Sequence, residues 1–272
     1  MENSKIEWCD HTFNPWMGCT KVSPGCDNCY AEALTKRYGK VKWGPHGERK
    51  RTSENYWKQP LRWAKKAGEA QAYWLRWSDA KYPPPRPRVF CASLADWLDN
   101  QVPQELREDL ARLINVTPEL DWLLLTKRIE NFSKLSPWPL PTPGGDHGQI
   151  PFPRNVWLGI TTEDQEHYNK RWPILARIPA AVRFISYEPA LGPLDLDQNG
   201  AFLTPDWVIA GGESGPHART PDSAWFSDLR GQCDVSGIPF FFKQWGGRTP
   251  KAGGRVLDGQ VYSQLPQSRW AA

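Results

Sequence analysis

Val156-Trp157-Leu158-Gly159-Ile160, followed by Thr161-Thr162-Glu163-Asp164, decides the fold. The five leading residues are apolar without alternation, the pattern of a strand buried on both faces. The polar quartet closes the run, and Asp164 to Arg177 reads as a helix. The same unit recurs on either side. Upstream lie Thr12 to Met17, Arg88-Val89-Phe90-Cys91-Ala92 and Trp122-Leu123-Leu124-Leu125. Downstream lie Val182-Arg183-Phe184-Ile185, Trp207-Val208-Ile209-Ala210 and Ile238-Pro239-Phe240-Phe241-Phe242. From Arg88 onward, successive runs begin 25 to 34 residues apart. Helical stretches fill the gaps: Pro103 to Ile114, with Leu106, Leu110, Leu113 and Ile114 at helical spacing, and Pro221 to Cys233. Alternation of this kind predicts an α/β fold with right-handed crossovers. Six or seven such units predict a full or partial parallel barrel.

The 272 residues suit one large domain, and 39% hydrophobic with 24% charged residues excludes a disordered chain. No apolar run approaches the roughly 20 residues of a spanning helix, so no membrane association is expected. Met1-Glu2-Asn3-Ser4-Lys5 lacks the apolar core of a signal peptide, which predicts a cytoplasmic protein. There the six cysteines are expected to be thiols or metal ligands.

Residues 1–272 read as a single domain with two interruptions. The stretch 136–155 carries prolines at 137, 139, 141, 143, 151 and 153 and reads as a Pro/Gly-rich surface loop. The stretch 36–88 is a basic insertion with 15 Lys and Arg against 4 Asp and Glu, a net of +11 in a chain of net +4. Its second part, Glu54 to Tyr82, is predicted to be helical, with Trp57, Leu61, Ala64 and Trp74 on one face. The block is interleaved with Tyr38, Trp43, Tyr56, Trp57, Trp63, Tyr73, Trp74, Trp77 and Tyr82. Cations beside exposed aromatics suit phosphates and stacked bases, so DNA or RNA is a candidate partner. A Trp-rich helix pair with solvated charges would give the same pattern.

In a parallel barrel the reactive groups sit in the loops after the strands. Those places hold Ser93 to Asp96, Thr126-Lys127-Arg128, Thr161 to Asp164, Ser186-Tyr187-Glu188, Gly211-Gly212-Glu213 and Lys243-Gln244-Trp245. Some of these groups would serve only as helix caps. Gly211-Gly212 allows close approach of a ligand or simply a tight turn.

Cys19, Cys26 and Cys29 form C-x6-C-x2-C in a Pro/Gly loop after the first strand. Thiols this close most often hold a metal. Structural zinc needs four protein ligands, the fourth from Cys9 or His11. Three thiolates suit a [4Fe–4S] cluster with one iron open to another ligand. Cys91 and Cys233 read as core thiols.

The cysteine loop after the first strand resembles the radical S-adenosylmethionine (radical SAM) superfamily. More narrowly, the chain is similar to a phage-associated three-cysteine family near that superfamily. The matching elements are Thr12-Phe13-Asn14-Pro15, Gly18-Cys19, Cys26-Asp27-Asn28-Cys29-Tyr30-Ala31, Leu125-Thr126-Lys127-Arg128, Glu188-Pro189, Leu191-Gly192-Pro193, Trp207 to Gly215, and Phe240 to Gly246. The resemblance implies a partial (β/α)6-type barrel with a [4Fe–4S] cluster on Cys19, Cys26 and Cys29. It implies cleavage of S-adenosyl-L-methionine to a 5′-deoxyadenosyl radical, with electrons from a flavodoxin- or ferredoxin-like reductant. It places Tyr30 near the cluster. In the superfamily a Gly-Gly-Glu after the second strand meets the SAM amino group. Here Asp96 occupies that place, and the role does not pass to Glu213. Asp96, Lys127, Glu163 and Glu188 are the expected cofactor-binding residues. The expected activity is modification or repair of a nucleic acid or nucleotide. The rival from another class is a non-catalytic, zinc-stabilised nucleic-acid-binding protein.

Overall fold

A computed structural model describes residues 1–39, 41–139, 152–197, 203–249 and 252–267. The apolar runs are strands, in chain order β1 (His11–Phe13), β2 (Trp16–Met17), β3 (Lys50–Arg51), β4 (Arg88–Cys91), β5 (Asp121–Thr126), β6 (Val156–Thr161), β7 (Val182–Tyr187), β8 (Trp207–Gly211) and β9 (Phe240–Gln244). The α-helices are α1 (Tyr30–Arg37), α2 (Glu54–Trp57), α3 (Gln59–Trp77), α4 (Gln104–Asn115), α5 (Phe132–Leu135), α6 (Gln165–Leu175) and α7 (Ser223–Ser236).

Seven strands pair in the order β1-β4-β5-β6-β7-β8-β9, every pair parallel. The sheet is open, with β1 and β9 at its edges, and forms a half-barrel, the partial parallel barrel expected from the sequence. β2 and β3 make a separate antiparallel pair.

Strand periodicity explains why the runs are apolar throughout. On one face, Phe90, Leu123, Trp157, Phe184, Trp207, Ile209 and Phe241 form an inner cluster. Trp8 enters that cluster from below, 4.6 Å from Phe90 and 6.3 Å from Trp207 between ring centres. On the other face, Val89, Leu124, Leu158, Ile185, Val208 and Phe240 pack with Leu110 and Ile114 of α4, Leu175 of α6 and Phe226 of α7. Neither face meets water, as expected for a parallel sheet.

Three local expectations need correction. Thr12 to Met17 is not one strand, because the chain turns at Asn14-Pro15 and β1 and β2 belong to different sheets. Pro15 has no N–H to extend a ladder, and its carbonyl instead accepts from the Thr52 amide at 3.0 Å. The helix over Glu54 to Tyr82 is two helices, α2 and α3, ending at Trp77. Its buried face holds Trp57, Pro60, Trp63 and Ala64, while Leu61 is 43% exposed. Of the loop 136–155, residues 140–151 lie outside the described residues.

Candidate functional site

Stepping by two from the inner apolar residues leads up each strand to its polar end. Leu123 leads to Leu125 and Lys127, and Trp157 to Gly159, Thr161 and Glu163. Phe184 leads to Ser186 and Glu188, Ile209 to Gly211 and Glu213, and Phe241 to Lys243. The polar groups therefore converge on the C-terminal mouth of the half-barrel. There Glu188 at the end of β7 pairs with Lys243 of β9 at 2.5 Å. The pair crosses the intervening β8 at Gly211, where an added Cβ would lie 3.5 Å from Lys243 Cβ and 3.6 Å from Glu188 Cδ. Lys127 Nζ reaches Thr161 Oγ1 at 3.3 Å.

The cysteine loop is attached at three places. At its start, the Arg128 guanidinium donates to Cys19 Sγ at 3.4 Å, to Asp96 Oδ2 at 3.0 Å and to the Thr20 carbonyl. Arg49 donates to Thr20 Oγ1 at 2.6 Å and forms a buried pair with Asp99 at 2.7 Å. In its middle, Ser23 donates to Glu163, which Arg171 holds at 2.6 Å. Gly25 lies so close to Glu163 that an added Cβ would stand 2.5 Å from its Cγ. Towards its end, Asn28 donates to Glu213 at 2.9 Å and to the His217 carbonyl at 2.9 Å. Arg219 grips Glu213 through Nη2 at 2.5 Å and Nε at 2.9 Å, and donates to the Pro24 carbonyl at 2.9 Å. Burial works against the Glu213 charge, but the bonds from Arg219 and Asn28 outweigh it and hold its carboxyl below the usual range.

The donor set is three thiols of one loop. Burial pushes the Cys19 thiol up to about 12, with Asp96 adding to the rise and Arg128 opposing it. Burial also raises Cys29, and the Lys127 cation opposes that rise. Among the described residues, no three His, Cys, Asp or Glu side chains stand together as a formed metal-binding group. Cys9 and His11 lie before and at the start of β1, whereas the thiols follow its end. Cys9 precedes β1 in the lower core, its Sγ 3.6 Å from the Ile6 carbonyl, and the His11 ring stacks on Trp63 at 4.3 Å. Cys19 follows β1 and lies at the mouth. The thiols thus carry cationic neighbours and no fourth protein ligand from Cys9 or His11. That donor set fits a centre that keeps a position for an outside ligand.

The four expected cofactor-binding residues divide in two. Asp96 Oδ1 accepts from the Leu98 amide at 3.0 Å and Thr126 Oγ1 at 2.7 Å, while Oδ2 accepts from the Lys127 amide at 2.9 Å and from Arg128. Glu163 is likewise buried, between Ser23 and Arg171. Both carboxylates are engaged by protein donors. Lys127 and Glu188 are partly exposed and line the mouth. Tyr30 also stands there, 53% exposed, its hydroxyl donating to the Ser93 carbonyl at 2.8 Å. The sequence placed Arg128 and Lys243 among the groups after the strands without giving either a cofactor-binding role, and it did not single out Arg219. Lys243 carried a usable signal, a charge at the end of an apolar run.

Residues 3–266 match the family described as "Protein of unknown function (DUF5131)". The chain belongs to the DUF5131 family. Comparison with curated proteins and with solved structures finds no match.

In this DUF5131 member the basic insertion is largely folded into the barrel. Arg49, Arg51, Lys66, Arg86 and Arg88 pair with Asp99, Asp109, Glu2, Asp121 and Asp10, all outside the block. Trp57 and Trp63 are buried, and the aromatics that remain exposed are Tyr38, Tyr73, Trp77 and Tyr82. α3 runs against the strand direction. Trp57 meets Phe13 at the top of β1, Trp63 meets His11 at its start, and Lys66 meets Glu2. Tyr73 and Trp77 therefore lie towards the N-terminal end of the barrel, away from the mouth. No helix among the described residues is long and apolar enough to cross a membrane.

Proposed function

We propose that the chain holds a [4Fe–4S] cluster on Cys19, Cys26 and Cys29 and binds SAM in the barrel mouth, as a radical SAM-type enzyme acting on a nucleic acid or nucleotide. One observation carries this reading. The three thiols belong to one loop fastened over the mouth, while Cys9 and His11 lie at the other end of β1. Structural zinc sites use four protein ligands, whereas three thiolates leave an iron open to a cofactor. When bound, cluster and cofactor supply one-electron cleavage of the sulfonium bond, with the electron drawn from a flavodoxin- or ferredoxin-like reductant. The chain's own groups bind and orient. Lys127 and the Glu188–Lys243 pair offer both signs of charge to a zwitterion such as SAM. Arg128 offsets negative charge at Cys19. Support for a polyanionic substrate comes from Lys50, Lys58 and Arg62, exposed cations for which no carboxylate partner is found among the described residues.

Anaerobic purification with metal analysis tests the reading. Brown protein with about four irons and four sulfides, lost together on Cys26→Ala, is the expected result. Stoichiometric zinc, with no iron taken up on reconstitution, would overturn it.

A further inference from the structure

We infer that Glu213, Arg219 and Asn28 form a latch that holds the Cys26–Cys29 segment against the loop after β8, and that they are positioning residues for those two thiols. The segment has little structure of its own to hold it. Pro24–Cys26 is a single 3-10 turn without a side-chain cap, and α1 opens at Cys29 without one either. Its fixed points come from outside. Arg219 spans the junction, donating to the Pro24 carbonyl at 2.9 Å while contacting Asp27 at 3.4 Å and both oxygens of Glu213. Asn28, between the two cysteines, reaches Glu213 and the His217 carbonyl.

Glu213 is the element that gives the latch its rigidity. It is 5% exposed and accepts from the Arg219 amide as well as its side chain. The backbone beneath it is fixed too. An added Cβ on Gly212 would meet the Trp245 carbonyl oxygen at 1.9 Å, so the strand ends approach through glycine. The Gly247 amide donates to the Glu213 carbonyl at 2.8 Å. A carboxylate with every partner supplied by the protein is a device for locating what its partners hold, here two thiols.

The latch is separate from the anchor at Cys19. That anchor uses Arg128, Asp96 and Arg49, none of which contacts Glu213, Arg219 or Asn28 in the bonds described. Between them, Ser23 on Glu163 also comes within 3.8 Å of Cys26 Sγ, but the Cys19 anchor touches neither Cys26 nor Cys29, so latch and anchor predict different behaviour for cysteines of the same loop. The buried Cys91 and Cys233, both 0% exposed, report on the core as a whole.

The test measures alkylation of each cysteine by limiting iodoacetamide in the metal-free protein at fixed pH, read by peptide mass spectrometry. Arg219→Ala should raise the rates at Cys26 and Cys29 about tenfold, because a hydrogen-bonded charge pair no longer opposes local opening. Asn28→Ala, which leaves the barrel untouched, should raise them about threefold. Cys19, Cys91 and Cys233 should keep their wild-type rates in both variants. Unchanged rates at Cys26 and Cys29, or a parallel rise at all five thiols, would overturn the latch. A second arm rests on the proposed function: after anaerobic reconstitution, Arg219→Ala should lose iron to a chelator faster than wild type. Wild-type protein that takes up no iron would refute that function, and the alkylation pattern would still decide the latch.

Discussion

Asp96→Asn preserves the shape of the side chain and removes its charge at the point where β5, the loop after β4 and the cysteine loop meet. Two oxygens of Asp96 accept four donors: the amides of Leu98 and Lys127, the Thr126 hydroxyl and the Arg128 guanidinium. An asparagine offers one acceptor oxygen. Whichever way its amide is turned, an NH2 group faces two donors. The larger loss is at Arg128, whose side chain is 5% exposed against 8% for Asp96. Removing one member of a buried pair costs about 3–5 kcal/mol, since the remaining charge is left uncompensated. Arg128 keeps the Thr20 carbonyl and Cys19 Sγ, which places the expected loss near the middle, about 4 kcal/mol. At roughly 2–4 °C per kcal/mol for a chain of this size, the midpoint of thermal unfolding should fall by about 10 °C. Urea unfolding at pH 7 gives the same quantity from the midpoint at unchanged slope. The double variant Asp96→Asn/Arg128→Met removes the orphaned cation with its partner. It should recover about 2 kcal/mol relative to the sum of the single variants. A loss under about 1 kcal/mol in Asp96→Asn, or additive single losses, would refute the reasoning.

Three further outcomes are expected. Burial raises the carboxyl of Asp121 to about 6, with Arg86 opposing the rise, and its Oδ1 lacks a hydrogen-bond partner. A raised acid contributes stability that is complete below the unfolded pKa and lost as pH rises through the folded one. The difference in unfolding free energy between Asp121→Asn and wild type should therefore shift by about 2 kcal/mol in favour of the variant between pH 4 and 7; a flat difference counts against it. Gly25→Ala drives a methyl into Glu163, which the Arg171 pair keeps from moving, so stability should drop by about 1–3 kcal/mol, while Gly231→Ala on α7, with open space around it, should cost nothing. For single-stranded oligonucleotides, replacing Lys50, Lys58 and Arg62 together by Ala should make the log–log salt slope shallower by about two, and wild-type protein that binds no nucleic acid at low salt would end the substrate proposal.

The strands were legible because each is buried on both faces and so reads as an unbroken apolar run. Phe240-Phe241-Phe242 serves both cores at once. The cysteine loop was legible from spacing, and the mouth from the rule that places polar groups after strands. The division of labour among those groups was not. Asp96 and Glu188 look alike in sequence, each an acid after a strand. What distinguishes them is Arg128 and the amides that saturate Asp96, against the single lysine that meets Glu188 across Gly211. Partners 30 to 60 residues away decide this, and local pattern holds no trace of them. Leu61 was misplaced for a related reason. α3 offers Leu61 and Trp63 to different sides, and only the position of His11 on β1 shows which side is inner.

Charge along the chain misled in an informative way. The block 36–88 carries a net +11, and six acids from outside it, Glu32 on Lys36 among them, reduce that to +5. The asymmetry between insertion and barrel is thus in large part the two halves of one set of ion pairs. These pairs also tie the insertion to the candidate site. Arg49 belongs to the basic block by sequence, yet its guanidinium holds Thr20 beside Cys19 and is itself held by Asp99, two residues before Gln101 and three after Asp96. Arg128 reaches the same Thr20 from the loop after β5. The insertion is therefore part of the wall that fixes the first thiol, while its exposed aromatics on α3 face away from the mouth. Any polyanion bound by Tyr73 and Trp77 would rest at the opposite end of the barrel from Lys127, Glu188 and Lys243. On the proposed function, a substrate group reaching the mouth would be received instead by the cations nearer β3, Lys50 foremost, and by the mouth residues themselves.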